Sequence, residues 1–102
     1  HYPLLSYSPK DSAIAVTLEK PLGGKILLVK SNDGALIREF KGYCHAFSPD
    51  GSLFSAGGQV YLTSDWTILG KHSNSAVCVT FSPTERVLLV VTPESIKRYR
   101  VE

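Results

Sequence analysis

Short apolar runs separated by turn-forming residues repeat along the whole chain. Segments 13–17, 25–30 and 86–91 are rich in aliphatic and β-branched residues, and Pro, Gly, Asn or Asp stands near their boundaries. This composition is typical of β-strands, and no segment keeps the periodicity of an amphipathic helix. The pattern predicts an all-β chain with almost no helix, with strands at Leu4–Tyr7, Ala13–Thr17, Lys25–Lys30, Ala35–Phe40, Tyr43–Phe47, Ser52–Ala56, Gln59–Thr63, Trp66–Leu69, Ser75–Phe81, Arg86–Val91 and Ser95–Arg100.

An aromatic residue followed by Ser-Pro occurs three times, within Tyr7–Asp11, Phe47–Gly51 and Phe81–Glu85. Proline presets the second position of a type I turn and serine suits the first, so each copy predicts a tight reversal between two strands. The three prolines lie 40 and 34 positions apart. A four-stranded repeat of about 40–45 residues is the period of a propeller blade. We therefore predict a β-propeller segment of three antiparallel blades, approximately residues 4–42, 43–74 and 75–102, whose last blade lacks its fourth strand.

The composition indicates one globular domain that neither spans nor binds a membrane. The chain has 102 residues, of which 43% are hydrophobic and 20% charged, values ordinary for a folded domain with a modest core. The net charge of +2 is too small to indicate nucleic-acid binding by itself. No uncharged apolar run approaches the roughly 20 residues that span a bilayer, and the first residues do not resemble a signal peptide.

Two cysteines occupy equivalent positions in successive repeats. Cys44 and Cys78 each stand three residues before the aromatic residue of the Ser-Pro motif. Packed sheets lie about 10 Å apart, farther than the alpha carbons of a disulfide can be. We expect both to be reduced and buried as small apolar side chains. Reduced cysteines fit a cytoplasmic location.

No arrangement of residues predicts catalysis, a cofactor or a metal site. Cys44 and His45 are adjacent on a strand, so their side chains should face opposite sides and cannot form a nucleophile–base pair. The histidines and cysteines lack zinc-ligand spacing. The four aspartates fall in predicted turns, where their carboxylates cap backbone N–H groups. We therefore predict a protein that is not an enzyme, with turn-capping carboxylates at Asp11, Asp33, Asp50 and Asp65.

The repeats resemble the WD-repeat family of β-propellers. The resemblance rests on segments 47–53 and 77–83 and on the strands that follow them. The Trp-Asp pair of the family is replaced by Val29-Lys30, Thr63-Ser64 and Tyr99-Arg100. Segments 47–54 and 76–83 also resemble the divergent propeller of the eukaryotic translation initiation factor 2A family. That resemblance implies a cytoplasmic protein that works in translation initiation with the small ribosomal subunit and initiator tRNA.

Two groups of basic residues are candidates for partner binding. In an up-and-down meander, the links between second and third strands share one end with the exits between blades. Long loops on a rigid scaffold commonly carry function, and this end would collect Lys20, Lys25, Lys71 and His72. A second group lies around Tyr99, where arginine beside an aromatic ring suits RNA or phosphate. Its charges would equally protect an outer strand from edge pairing, and its members are Lys97, Arg98 and Arg100.

The sequence thus predicts a non-catalytic scaffold for protein partners, with the ribosome or RNA as a further kind of partner. Two alternatives stay open: a self-contained β-sandwich that binds a ligand, and part of a propeller enzyme whose site is completed elsewhere. The end blades should expose apolar faces at strands Ala13–Val16 and Val87–Val91. Repeat units cover such faces only with neighbours on both sides. We expect further blades from the same protein, other copies or other chains to cover them.

Overall fold

A computed structural model describes residues 5–10, 12–18, 24–42, 44–72 and 78–101. These residues form three antiparallel sheets of four, four and three strands, and none of them is helical. Sheet 1 comprises β1 (Leu5–Tyr7), β2 (Ala13–Leu18), β3 (Lys25–Lys30) and β4 (Leu36–Lys41). Sheet 2 comprises β5 (His45–Phe47), β6 (Leu53–Ala56), β7 (Gln59–Leu62) and β8 (Ile68–Lys71). Sheet 3 comprises β9 (Cys78–Phe81), β10 (Val87–Val91) and β11 (Ile96–Arg100).

The predicted all-β fold, with its division into four, four and three strands, is confirmed. Each sheet is a meander in which strands that follow one another in sequence are hydrogen-bonded neighbours. Every predicted strand overlaps an observed one, and β8 begins and ends two residues later than expected. None of the described residues belongs to a helix long and apolar enough to cross a membrane.

The three Ser-Pro reversals are closed by the same backbone hydrogen bond. In each, the serine N–H donates to the carbonyl oxygen five residues later, from Ser8 to Ala13 at 3.0 Å and from Ser48 to Leu53 at 2.9 Å. Ser82 makes the equivalent bond to Val87 at 2.8 Å. The predicted turn structure of the motif is therefore confirmed at all three positions.

Aspartates cap the turns, as predicted, in the described part of the chain. The carboxylate of Asp50 accepts from the backbone N–H and hydroxyl of Ser52 and from the hydroxyl of Ser48, at 2.7–3.0 Å. These bonds, led by the one from the Ser52 backbone, lower the pKa of Asp50 to about 2. Asp33 and Asp65 accept from the backbone N–H two residues on. Asp11 lies outside the described residues.

The strand register aligns sheets 1 and 2 residue by residue. In sheet 1, Ala15 of β2 pairs with Leu28 of β3, and Leu28 pairs with Arg38 of β4. In sheet 2, Ser55 pairs with Val60 and Val60 with Gly70, and both third strands carry an irregularity just after that point. Arg38 and Gly70 therefore hold the same position in the repeat, as do Phe40 and His72 two residues later.

Sheet 2 is covered on both faces, and the two cores differ in composition. One face packs against sheet 1 in a core whose three aromatic rings lie among small and aliphatic residues, formed by Ala13, Ala15, Ile26, Leu28, Phe40, Phe54, Ala56 and Tyr61. The other packs against sheet 3 in an aliphatic core formed by Cys44, Leu53, Val60, Val79, Phe81, Leu88, Val90 and Val101. Successive strand residues point to opposite faces, which is why Leu53 and Phe54 enter different cores.

Each outer sheet leaves one face uncovered by the described residues. Leu5 is 54% exposed and Tyr7 67% exposed on sheet 1, and Ile96 is 70% exposed on sheet 3. Cys44 and Cys78 are free thiols, as predicted. The prediction that both are buried is wrong for Cys78, which is exposed. Its repeat equivalent, Cys44, is covered by sheet 3, whereas no described sheet follows sheet 3 to cover Cys78.

Candidate partner-binding groove

A groove between sheets 2 and 3 brings three of the predicted binding residues together. Lys71, His72 and Arg100 come from two different predicted groups and line the same groove, whose volume is about 180 Å³. The lining is completed by residues from β7, β8, β10 and the end of β11, namely Val60, Leu69, Gly70, Leu88, Tyr99 and Val101. The groove therefore has an apolar floor. Lys71 and Arg100, which we call its basic rim, contribute to the lining from positions paired with Gln59 and Val87, next to the residue pairs Val60–Gly70 and Leu88–Tyr99.

The other predicted binding residues lie elsewhere. Lys25 is on sheet 1, where its ammonium lies 3.5 Å from the Glu39 carboxylate. Arg98 donates to the carboxylate of Glu85 at 3.0 Å, and Lys97 is exposed on the same strand. Because β11 is an edge strand of sheet 3 within the described residues, Lys97 and Arg98 suit edge protection. Lys20 lies outside the described residues.

The floor of the groove is rigid because it belongs to the aliphatic core. Val60 is 4% exposed, Leu88 is fully buried and Val101 is 8% exposed. The backbone N–H of Val101 donates to the carbonyl oxygen of Arg86 at 2.8 Å, and the Arg86 side chain donates back to the Val101 carbonyl at 3.3 Å. A ligand side chain placed here would contact preformed apolar surface.

His72 is held in place at the mouth of the groove. Its backbone N–H donates to the Gly58 carbonyl at 2.7 Å, which continues the pairing of β8 with β7. Its Nε2 lies 3.0 Å from the hydroxyl oxygen of Ser55, a fully buried residue. Its ring centroid lies 6.0 Å from that of Tyr99. His72 therefore lies directly after β8, half-buried and fixed against sheet 3.

At the interface between sheets 1 and 2, a long side chain fills the position that corresponds to the groove. In sheet 1, the guanidinium carbon of Arg38 lies 5.6, 5.9 and 5.7 Å from the ring centroids of Phe40, Tyr61 and Trp66. These distances are those of cation–π contacts. In sheet 2 the position equivalent to Arg38 is Gly70, and a Cβ atom built there meets nothing within 4 Å. The groove exists because this position carries no side chain.

Sequence reasoning found the rim of the groove but missed its opening. Lys71, His72 and Arg100 stand out as charged or titratable residues, whereas Gly70 lies just beyond the predicted strand Trp66–Leu69 and carries no side chain to draw attention. The sequence did contain a signal, because an alignment of the fourth strands of the two repeats places Gly70 at the position that Arg38 holds. That alignment depends on the irregularity in the third strands, which the sequence does not reveal.

A second crevice lies at the opposite end, between the Ser-Pro turns of sheets 2 and 3. It has a volume of about 170 Å³ and is lined by residues of segments 48–53 and 81–86. Its polar groups are engaged locally: Asp50 caps its own turn, and Glu85 pairs with Arg98. This end offers short, internally bonded turns rather than a free rim.

The geometry gives no support to a Cys44–His45 pair. Cys44 belongs to the core shared with sheet 3, whereas Nδ1 of His45 lies 2.6 Å from the hydroxyl oxygen of Ser6 in sheet 1. Burial, and to a lesser degree the nearby Cys78, raises the pKa of the Cys44 thiol. The thiol therefore stays protonated at neutral pH, in which form it is a poor nucleophile. The described residues include no group of three or more His, Cys, Asp or Glu placed to hold a metal ion.

No family model and no curated protein sequence matches this chain.

Proposed function

We propose that this chain is a WD-repeat-like β-propeller segment that acts as a non-catalytic scaffold and binds an acidic segment of a protein partner in the groove between sheets 2 and 3. The observation that supports this most strongly is the open position at Gly70. It leaves open space above the apolar core residues of the groove, beside Lys71 and Arg100. The propeller assignment is supported by the repeated meander, the common turn and the shared register.

An extended acidic peptide fits this chemistry. One of its apolar side chains would rest on Leu69 and Tyr99, the more exposed apolar residues of the lining. Flanking carboxylates would pair with Lys71 and Arg100. The apolar contact would provide most of the affinity, because exposed ion pairs are worth about 0–1 kcal/mol each. The basic rim would chiefly accelerate association and select acidic partners.

Single-stranded RNA is a second candidate, and one observation favours it. The rings of His72 and Tyr99 lie side by side next to two cations. A base could stack on this pair while its phosphates contact Lys71 and Arg100, and such stacking is worth about 1–3 kcal/mol per base. RNA of the small ribosomal subunit in the cytoplasm is the form of this proposal that matches a role in translation initiation.

The experiment measures binding of two labelled probes by fluorescence anisotropy. One probe is a peptide of alternating Glu and Leu, and the other is a single-stranded RNA oligonucleotide. Gly70→Leu should plug the groove without changing charge, and Lys71→Glu with Arg100→Glu should reverse the rim. Both variants should lose most binding of the probe that the groove accepts, and the ranking of the two probes identifies the class of partner.

A charge-matched control separates site binding from general attraction. Lys10→Glu with Lys30→Glu makes the same change in net charge at exposed positions of the turn end. This control should keep most of the binding. Equal losses in the rim and control variants, or full binding by Gly70→Leu, would contradict the proposed site.

A further inference from the structure

The uncovered face of sheet 1 is a continuous apolar surface. Leu5 pairs with Val16 and Tyr7 pairs with Ile14, and directly paired residues project on the same side of a sheet. Ser6, between them, contacts His45 of sheet 2, so Leu5 and Tyr7 point the other way. Surfaces of this kind are rarely left uncovered when they extend over several strands.

The same repeat positions are buried in the next two sheets. Tyr7 corresponds to Phe47 and Phe81, each the aromatic residue of its Ser-Pro motif. Phe47 packs against the core shared with sheet 1, and Phe81 belongs to the core shared with sheet 2. Sheets 2 and 3 therefore each use this face to contact the preceding sheet, whereas in sheet 1 no other described residues cover it.

The uncovered face of sheet 3 is the opposite half of that interface. Thr80 pairs with Leu89, and the register makes Leu89 the equivalent of Ala15 and Ser55. Ala15 and Ser55 are both fully buried. Cys78, on the same face as Thr80, is the equivalent of the buried Cys44. The positions that are open in sheet 3 are thus buried in sheets 1 and 2, where the following sheet covers them.

We infer that a second copy of this chain packs the open face of its sheet 1 on the open face of sheet 3, head to tail. The contact continues an interface that the chain already makes twice, from sheet 1 to sheet 2 and from sheet 2 to sheet 3. At both interfaces the first strands of the two sheets are neighbours, with β1 beside β5 and β5 beside β9. In the assembly, β9 of one copy therefore lies beside β1 of the next.

Because the two faces differ, the contact is heterologous and propagates from copy to copy, into a ring where the rotation closes and into an open filament where it does not. It uses neither Gly70 nor the rim of the groove. Gly70→Leu should therefore leave the mass of the assembly unchanged, which separates this inference from the proposed binding function.

Sedimentation equilibrium with blocked faces tests the direction of packing. Tyr7→Lys places a charge on the open face of sheet 1, and Thr80→Lys places one on that of sheet 3. Both positions are exposed, so circular dichroism should show an unchanged fold. The unmodified chain should exceed its monomer mass of 11.1 kDa, and each variant alone should sediment at that mass.

Mixing the two variants is the decisive step. The Tyr7→Lys chain keeps an intact sheet 3 face and the Thr80→Lys chain an intact sheet 1 face, so an equimolar mixture should form a pair of about 22 kDa, twice 11.1 kDa. A monomeric unmodified chain at high concentration would overturn the inference. So would a mixture that fails to pair, or either variant assembling alone.

Alkylation of Cys78 by iodoacetamide provides an independent readout. In the mixture, Cys78 of the Tyr7→Lys chain should be protected, and Cys78 of the Thr80→Lys chain should react as fast as in the monomer. Mass spectrometry separates the two chains, and the buried Cys44 serves as an internal reference. Equal reaction of Cys78 in both chains would contradict the head-to-tail contact.

Discussion

The two interfaces between neighbouring sheets use the same repeat positions but different side chains. Between sheets 1 and 2, the ring of Phe40 lies 5.4 Å from Phe54, 5.1 Å from Tyr61 and 5.9 Å from Trp66, and Arg38 lies over the cluster. Between sheets 2 and 3, the residue equivalent to Phe40 is His72, and its ring centroid lies 6.0 Å from that of Tyr99.

The difference shows how a repeated scaffold acquires a binding surface. The backbone is the same at both interfaces, including the irregularity in the third strand. The first interface is closed by long side chains, and Trp66 even adopts a φ of 63° to place its ring there, a conformation that is uncommon for a bulky residue. At the second interface Gly70 removes the covering side chain, and the surface beneath becomes available to a partner.

The largest expected effect comes from breaking the aromatic interface. Phe54 is fully buried and contacts four other rings. Replacing it with alanine should lower the free energy of unfolding by about 3–5 kcal/mol, the usual cost of removing a core phenylalanine. Urea denaturation measures this, with Ile68→Ala at an exposed position as control. A loss no larger than that of the control would show that the aromatic core does not hold sheets 1 and 2 together.

An exchange of side chains between the interfaces should have an intermediate effect. Arg38→Ala removes the cation–π contacts and should cost about 0.5–1 kcal/mol, since Arg38 is exposed. Gly70→Arg should stabilise the chain by a similar amount, because glycine within a strand is unfavourable and the added side chain finds open space. Thermal unfolding of the two single variants and the double variant measures both. A destabilising Gly70→Arg would contradict the equivalence of the two positions.

The smallest expected effect concerns the Ser-Pro turns. The second motif carries Asp50 after its proline, whereas the first carries Lys10 and the third Thr84. The folded pKa of Asp50 is about 2, below its unfolded value of about 3.9. A lowered pKa gives stability that is present above pH of about 4 and is lost as the pH falls through about 2. Asp50→Asn should therefore flatten the unfolding free energy between these pH values. An unchanged pH profile would contradict the capping role.

Local features of the sequence predicted most of the fold. The Ser-Pro motif determines its turn through the backbone angle of proline and the hydrogen bonds of serine, so the strand ends on either side of each turn are predicted to within one residue. The exposure of Cys78 could not be predicted in this way, because it depends on whether another sheet follows. The groove could not be predicted either, because it forms between two sheets. Gly70 opens it only because sheet 3 places Tyr99 and Val101 on the other side.

The most direct test of the groove is a titration of the ¹⁵N-labelled protein with the preferred probe, followed by amide chemical shifts. We expect the largest changes in the two segments that line the groove, 69–72 and 99–101, and little change in the turn segments 48–53 and 82–85, because Arg86 is hydrogen-bonded to Val101 of the groove. Gly70→Leu should abolish these changes while the remaining spectrum stays the same. Shifts concentrated in the turn segments, or shifts that persist in Gly70→Leu, would contradict the assignment of the groove as the partner-binding site.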